Sequence, residues 1–189
     1  MLGFEENEET RAAERGTLPP NKKAYDEVEF IGLESPTKYV TRPYAYVIPA
    51  EMTKVRDNLD RHGVQMEVLR EDLQVELEEY EIVSVDIAEK PFQKHRLAEV
   101  TVNASTSSRK CAAGSVIVKT DQDLGRLATL LLEPESQDGL VTWNFFDDYL
   151  EKGKAFPVMR LPKRIAMRTT GYSRLKPDRM LQKLSLIHI

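Results

Sequence analysis

The chain has 189 residues with 27 Lys and Arg against 31 Asp and Glu, a net charge of -4. That length suits one domain with a tail, and the acidic balance argues against a dedicated nucleic-acid binder, which would carry a basic stripe. A single cysteine, Cys111, excludes an internal disulfide and a Cys-based zinc site, and no run approaches the roughly 18 apolar residues of a membrane span.

Residues 1–23 are polar and rich in Glu and Arg, and Pro19-Pro20 closes the segment. The first nine residues lack the basic and apolar regions of a signal peptide. With a strand-like stretch over Tyr25–Tyr39 (Val28, Phe30, Leu33), residues 1–41 read as a linker or the remnant of an upstream domain. Tyr44-Ala45-Tyr46-Val47-Ile48 is an aromatic and β-branched run of strand length, ended by Pro49. Met52, Val55 and Leu59 then recur at helical spacing, predicting a helix over 51–62 with Gly63 after its last turn. Gln65–Leu69 resumes as a strand that can lie parallel to the first.

Residues 73–87 alternate as a half-wet antiparallel strand, with a bulge expected near Glu79–Glu81. Arg96–Asn103 and Ser107–Ala112 read as a hairpin through Ala104-Ser105-Thr106, and Ser115–Lys119 as a further strand. Thr120-Asp121-Gln122-Asp123 offers an N-cap hydroxyl and acids for a helix start. Leu124, Leu127, Ala128, Leu131 and Leu132 give that helix, 121–132, its buried stripe, and Pro134 stops it. Gly125 within the helix implies close packing against a neighbour, since Gly costs up to about 1 kcal/mol there.

These elements predict an α+β domain over 42–162, a mostly antiparallel sheet with the two helices packed on one face. Residues 163–189 read as a basic tail. Its last six residues, Leu184-Ser185-Leu186-Ile187-His188-Ile189, can be spelled CTG TCT CTT ATA CAC ATC, which resembles a transposon end used in sequencing libraries. They are read as adaptor read-through and set aside.

Chemistry-bearing motifs are sparse. His62 has Gln65 three residues later and His95 has Ala98, so neither begins an HxxE or HExxH zinc pair. No GxGxxG, Walker loop or GxSxG occurs. The aromatic run Trp143, Phe145, Phe146 beside a helix reads first as core, with Trp143, Asn144 and Asp147 as the candidate binding residues if the cluster opens to a ligand. No residue of the chain is assigned a catalytic or metal-binding role.

Three stretches carry a family resemblance: Arg42-Pro43-Tyr44 through Pro49-Ala50-Glu51, then Pro91-Phe92-Gln93-Lys94-His95-Arg96-Leu97, and the long run Thr120 through Asp147. They resemble the C-terminal portion of bacterial carboxypeptidase A-like zinc metallopeptidases. In that family an HxxE pair and a later His bind zinc, and metal-bound water attacks the C-terminal peptide bond. The resemblance therefore implies an accessory domain without a cofactor of its own, zinc in the parent enzyme, and an upstream catalytic domain as partner. Family members are often exported. Neither nucleic acid nor membrane insertion is expected, and the alternative is a non-enzymatic glycan- or peptide-binding module.

Overall fold

Ala45–Ile48 (β3) is buried on every residue, because strands cover both its edges and both its faces meet core. Such a strand is a continuous apolar run, as its sequence shows. The computed structural model describes residues 2–4, 22–24 and 38–172. Contacts divide the chain into Met1–Val40 and Thr41–Ile189. In the first unit Leu2–Phe4 (β1) and Lys22–Ala24 (β2) pair antiparallel, Gly3 opposite Lys23.

The second unit is built on a seven-stranded sheet. Its strands are β3, Glu67–Leu69 (β4), Leu73–Ile87 (β5), Ala98–Cys111 (β6), Val116–Lys119 (β7), Met159–Leu161 (β8) and Thr169–Gly171 (β9), in the order β6-β5-β8-β3-β7-β4-β9. All recorded pairings are antiparallel. Helices Thr53–Arg61 (α1) and Gly125–Leu132 (α2) accompany it, with a short 3-10 turn at Asp147–Tyr149.

The period-two alternation of side chains splits the core. Tyr46, Ile48, Val116 and Val118 enter the larger cluster, and Ala45, Val47 and Ile117 enter a second with Leu69, Leu77, Cys111 and Leu161. Burying about twenty such side chains on the larger side, at about 1.5–3 kcal/mol each, is the dominant favourable term in folding.

α1 matches its sequence pattern. Met52, Val55 and Leu59 are buried, and the helix ends in a Schellman motif. Gly63 N–H donates to Asp60 O and Val64 N–H to Leu59 O, with Gly63 at φ +79° supplying the left-handed residue. β3 and β4 run in the same direction, but β7 lies between them and pairs with both.

Several expectations are corrected. The α+β fold with two helices packed on one face is overturned: the chain is predominantly sheet. Its helices have only 9 and 8 residues, and they do not form a clear layer on one face. Beside Val55, Leu59, Ala128, Leu131 and Leu132 of the helices, the larger cluster takes Leu140, Val141, Phe146, Phe156 and Val158 from irregular chain and strand approaches. The hairpin through Ala104-Ser105-Thr106 does not form either. Those residues lack turn chemistry, and β6 runs through them while pairing with β5 from Cys111 opposite Leu73 to Ala98 opposite Ile87. The register shift falls between Ile82 and Ser84 rather than at Glu79–Glu81.

Helix α2 begins at Gly125, not 121, and no side chain caps it. Thr120 Oγ1 donates instead to Pro43 O at 2.6 Å. Gln122 receives Gln65 N–H at 2.7 Å and donates to Gln65 O at 2.9 Å, acting as a side-chain strand partner. Tertiary contacts thus consume the predicted first turn. The sheet also continues past 162: Ile165 and Met167 pack on the second cluster, and β9 pairs with β4. Tyr25–Leu33, the adaptor-like end and the rest of the tail beyond 172 lie outside the described residues.

Candidate functional site

Pro134 breaks α2, and residues 134–146 turn through a series of tight bends that return the chain to the core. Phe146 is sealed there, 4.8 Å from the Phe156 ring. Trp143 and Asn144 are half-buried, and Asp147 is exposed. Of the three candidate binding residues, Asn144 bonds Asp147, while the Trp143 side chain turns to other partners. Asn144 Nδ2 donates to Arg96 O at 2.7 Å and to Asp147 Oδ1 at 3.2 Å, and Trp143 Nε1 donates to Asp138 Oδ1 at 2.6 Å.

The structure adds residues the sequence did not single out as binding groups. His95 Nδ1 lies 3.0 Å from Asn144 Oδ1. Because the Asn144 amide nitrogen is committed to two acceptors, its oxygen faces His95, and Nδ1–H is the donor. The His95 ring meets Trp143 edge-on at 5.5 Å, and Phe92, 54% exposed, lies tilted 6.5 Å from it. Phe92 and His95 exchange both backbone hydrogen bonds at 2.8 Å around Gln93 and Lys94.

Gln93 (φ 48°), Lys94 (φ 72°) and Asn144 (φ 66°) are the non-glycine residues with left-handed backbone among the described residues, and all three belong to this cluster. A two-residue turn with both φ values positive normally takes Asn-Gly. Such strain costs about 1–3 kcal/mol per residue and tends to gather at functional sites.

A second polar concentration is sealed in the larger core. Glu133, 6% exposed, accepts hydrogen bonds from Tyr46 OH at 2.5 Å and Tyr80 OH at 2.9 Å. Arg160 Nε stands 3.2 Å from Glu133 Oε1 as an ion pair without hydrogen-bond alignment, while its Nη1 reaches Tyr80 OH and Glu78 Oε2, each at 2.9 Å. Nη2 donates to Thr41 O. Burial, reinforced by the Glu133 charge, pushes both phenols well above the usual tyrosine range. Burial opposes the Arg160 charge, but Glu133, Tyr80 and Glu78 outweigh it and hold the guanidinium above its ordinary value. This network joins β3, β5 and β8 to the end of α2, and its groups face one another rather than a cleft.

The zinc that the sequence resemblance would imply finds no fitting donor set in the described residues. His62 Nδ1 is 2.9 Å from Asn58 O on its own helix, and His95 Nδ1 is committed to Asn144. Among the described residues no group of three or more His, Cys, Asp or Glu is placed to hold a metal ion. Cys111 is buried, and burial raises its thiol pKa.

Comparison with known proteins adds one relationship. The chain is 26% identical over 121 residues to Carboxypeptidase 2 of Trichophyton equinum, and equally to those of Trichophyton tonsurans and Trichophyton rubrum. Over that stretch it is similar to carboxypeptidases. The match takes in 64% of this chain and 22% of each relative, so the chain spans about a fifth of the proteins it matches. No family model matches the chain, and no solved structure does.

Proposed function

We propose that this chain is an accessory, non-catalytic domain of a zinc carboxypeptidase-like metallopeptidase, working beside a catalytic domain upstream in the same polypeptide. The observation that carries this reading is the similarity itself, which is confined to 22% of each carboxypeptidase relative. Two structural facts support it. The polar groups richest in chemistry, Glu133 and Arg160, are buried ties between strands, and the two histidines of the described residues are each engaged by a neighbouring residue. The bacterial, zinc-dependent character of the parent belongs to the proposal, since the relatives matched are carboxypeptidases of Trichophyton.

The test is a peptidase assay on the isolated chain with added zinc, set beside metal analysis of the purified protein. No release of C-terminal residues and less than stoichiometric zinc are expected. Hydrolysis that is lost with a chelator, or one zinc retained per chain, sinks the proposal. An HxxE followed by a later His in the DNA upstream of Met1 would support the parent's class, and an upstream frame without them would count against it.

One observation favours a second reading, a binding module for glycan or peptide at Trp143, Asn144 and Asp147: the three strained residues converge on this half-open aromatic cluster. Because Trp143 is the only tryptophan of the chain, its fluorescence reports the site directly. Saturable change with an oligosaccharide or peptide, abolished in Phe92→Ala, would support the module. A flat titration across both ligand classes leaves the cluster an architectural corner.

A further inference from the structure

We propose that the outer edge of β6 over Ala104–Lys110 is an interface that pairs antiparallel with the same segment of a second copy of this chain. β6 ends the strand order, so one of its sides meets no neighbouring strand. Leu97 O accepts from Ala88 N–H on the β5 side, whereas Ala98 N–H and Val102 N–H donate away from it. Even-numbered residues of β6 therefore direct their backbone outward. The first half of this edge is closed: Ala98 N–H donates to Thr142 O at 3.4 Å and Val102 N–H to Glu135 Oε1 at 3.2 Å. The second half is open. Among the described residues nothing bonds the outward backbone of Ala104, Thr106, Ser108 and Lys110, and all four are exposed.

Proteins blunt open edges with short strands, proline, bulges or inward charges. The opposite edge, β9, has 3 residues, but β6 has 14. Ala104-Ser105-Thr106-Ser107-Ser108 carries neither proline nor charge, and the register shift at Ile82/Ser84 lies beside the closed half. Two features select a second copy as the occupant. A two-fold axis at Ser107 sets Ala104 opposite the partner's Lys110 and Thr106 opposite the partner's Ser108. Every outward residue then meets an outward residue, giving about eight backbone hydrogen bonds and joining the two sheets. A shifted register leaves some unpaired or meets the Glu135 cap. Charge agrees with this register. β5 backs the edge with Glu76, Glu78, Glu79 and Glu81, opposite Ser108, Thr106, Ser105 and Asn103, and only Arg109-Lys110 at its end is basic. The axis lays that basic pair across Ser105 and Ala104 of the other copy, small residues with Glu79 behind them and Glu78 and Glu81 beside them. The two basic pairs stay apart, and opposite charges across strands are stabilising. Arg109 and Lys110 are more than half exposed in their own pairs with Glu79 and Asp72, so each can meet a second carboxylate.

Sedimentation of the full chain over a concentration series tests the pairing. The mean mass should rise toward twice that of the chain. Thr106→Pro should hold it at the monomer, because the Thr106 N–H points outward and its loss leaves the β5 ladder intact. R109E/K110E should weaken association about tenfold, the effect of several lost cross-strand charge pairs. Mild oxidation with diamide reads the register: Ser107→Cys, on the axis, should link two chains, since residues of a non-hydrogen-bonded pair lie about 4.5 Å apart at Cα. Ser105→Cys, which faces the partner's Arg109, should not, and buried Cys111 stays out of the reaction. Circular dichroism checks that T106P folds, and the S107C and S105C pair carries the test if it does not. A monomer at every concentration, or S105C linking as readily as S107C, would overturn the interface. So would a dimer that neither a folded T106P nor R109E/K110E weakens.

Discussion

Replacing Glu133 with Gln keeps the shape of the side chain and removes its charge, so it isolates what the buried carboxylate does. In the native network two phenols donate to it at 2.5 and 2.9 Å, and Arg160 stands 3.2 Å away. Deleting one partner of a buried ion pair costs about 3–5 kcal/mol, because the other charge stays behind. Here Arg160 retains Glu78 at 2.9 Å, Tyr80 and the Thr41 carbonyl, which places the loss near the low end. The new amide also turns a donor toward one phenol, leaving that hydroxyl without its acceptor at a cost of about 1–3 kcal/mol. A total of about 4–6 kcal/mol follows, a large share of the about 5–15 kcal/mol that holds a domain together. Tyr46→Phe removes one hydrogen bond and no charge, and should cost about 1–2 kcal/mol. Urea unfolding measures both, provided the slope m is unchanged so that the midpoint reports stability. An E133Q midpoint within about 0.5 kcal/mol of wild type would refute the reasoning, and so would a Y46F variant less stable than E133Q.

Alkaline unfolding should follow from the same phenols. Their folded-state pKa values are raised, so the unfolded chain loses these protons first: stability is fully present below the usual phenol value of about 10 and falls above it. Each tyrosine contributes about 1.4 kcal/mol per pH unit in that window, and the fall should be shallower in Y46F when unfolding is followed by circular dichroism. Gly125→Ala should destabilise by more than the about 1 kcal/mol that alanine's helix propensity returns, because its Cβ meets the Thr120 carbonyl; a stabilised variant in thermal unfolding would contradict that contact. Asn144→Gly should be milder than Asn144→Ala, since glycine tolerates φ 66° while both lose the bonds to Arg96 and Asp147. Equal melting temperatures for the two would show that the backbone there is unstrained.

Much of the sheet was legible because its strands are bounded by local signals. β5 spans the 73–87 alternation, and β3 and β7 are short apolar runs ended by polar or proline residues. α1 was legible for the same reason, its stripe and its glycine agreeing. The failures lie where side chains were recruited to distant partners. Thr120 looked like an N-cap until Pro43, 77 residues away, supplied its acceptor. Ala104-Ser105-Thr106 looked like a turn because its residues are small and mostly polar, yet a long edge strand can carry such a stretch at its middle when its partner strand fixes the register. At the candidate site, Trp143, Asn144 and Asp147 were visible from composition. His95 and Phe92 were not, because nothing in a 48-residue gap signals that a loop before β6 will meet a turn after α2.

Pro134 shows how a local rule can have a consequence the rule does not contain. A residue before proline is pushed out of the helical region, and Glu133 accordingly adopts φ -71° and ψ 128°. Had α2 continued, the position would keep helical geometry and its side chain would follow the helix surface. The extended conformation instead places the carboxylate among Tyr46, Tyr80 and Arg160. The helix stop thus creates the acceptor that joins three strands, and it starts the turns that carry Phe146 to the core and Trp143 to the half-open corner. Moving the stop by one residue, with Pro134→Ala, should therefore weaken the buried network and the Trp143 environment together. Unfolding free energy and tryptophan fluorescence should shift in the same variant. A change in fluorescence with no loss of stability would separate the two and disconnect the turn from the core.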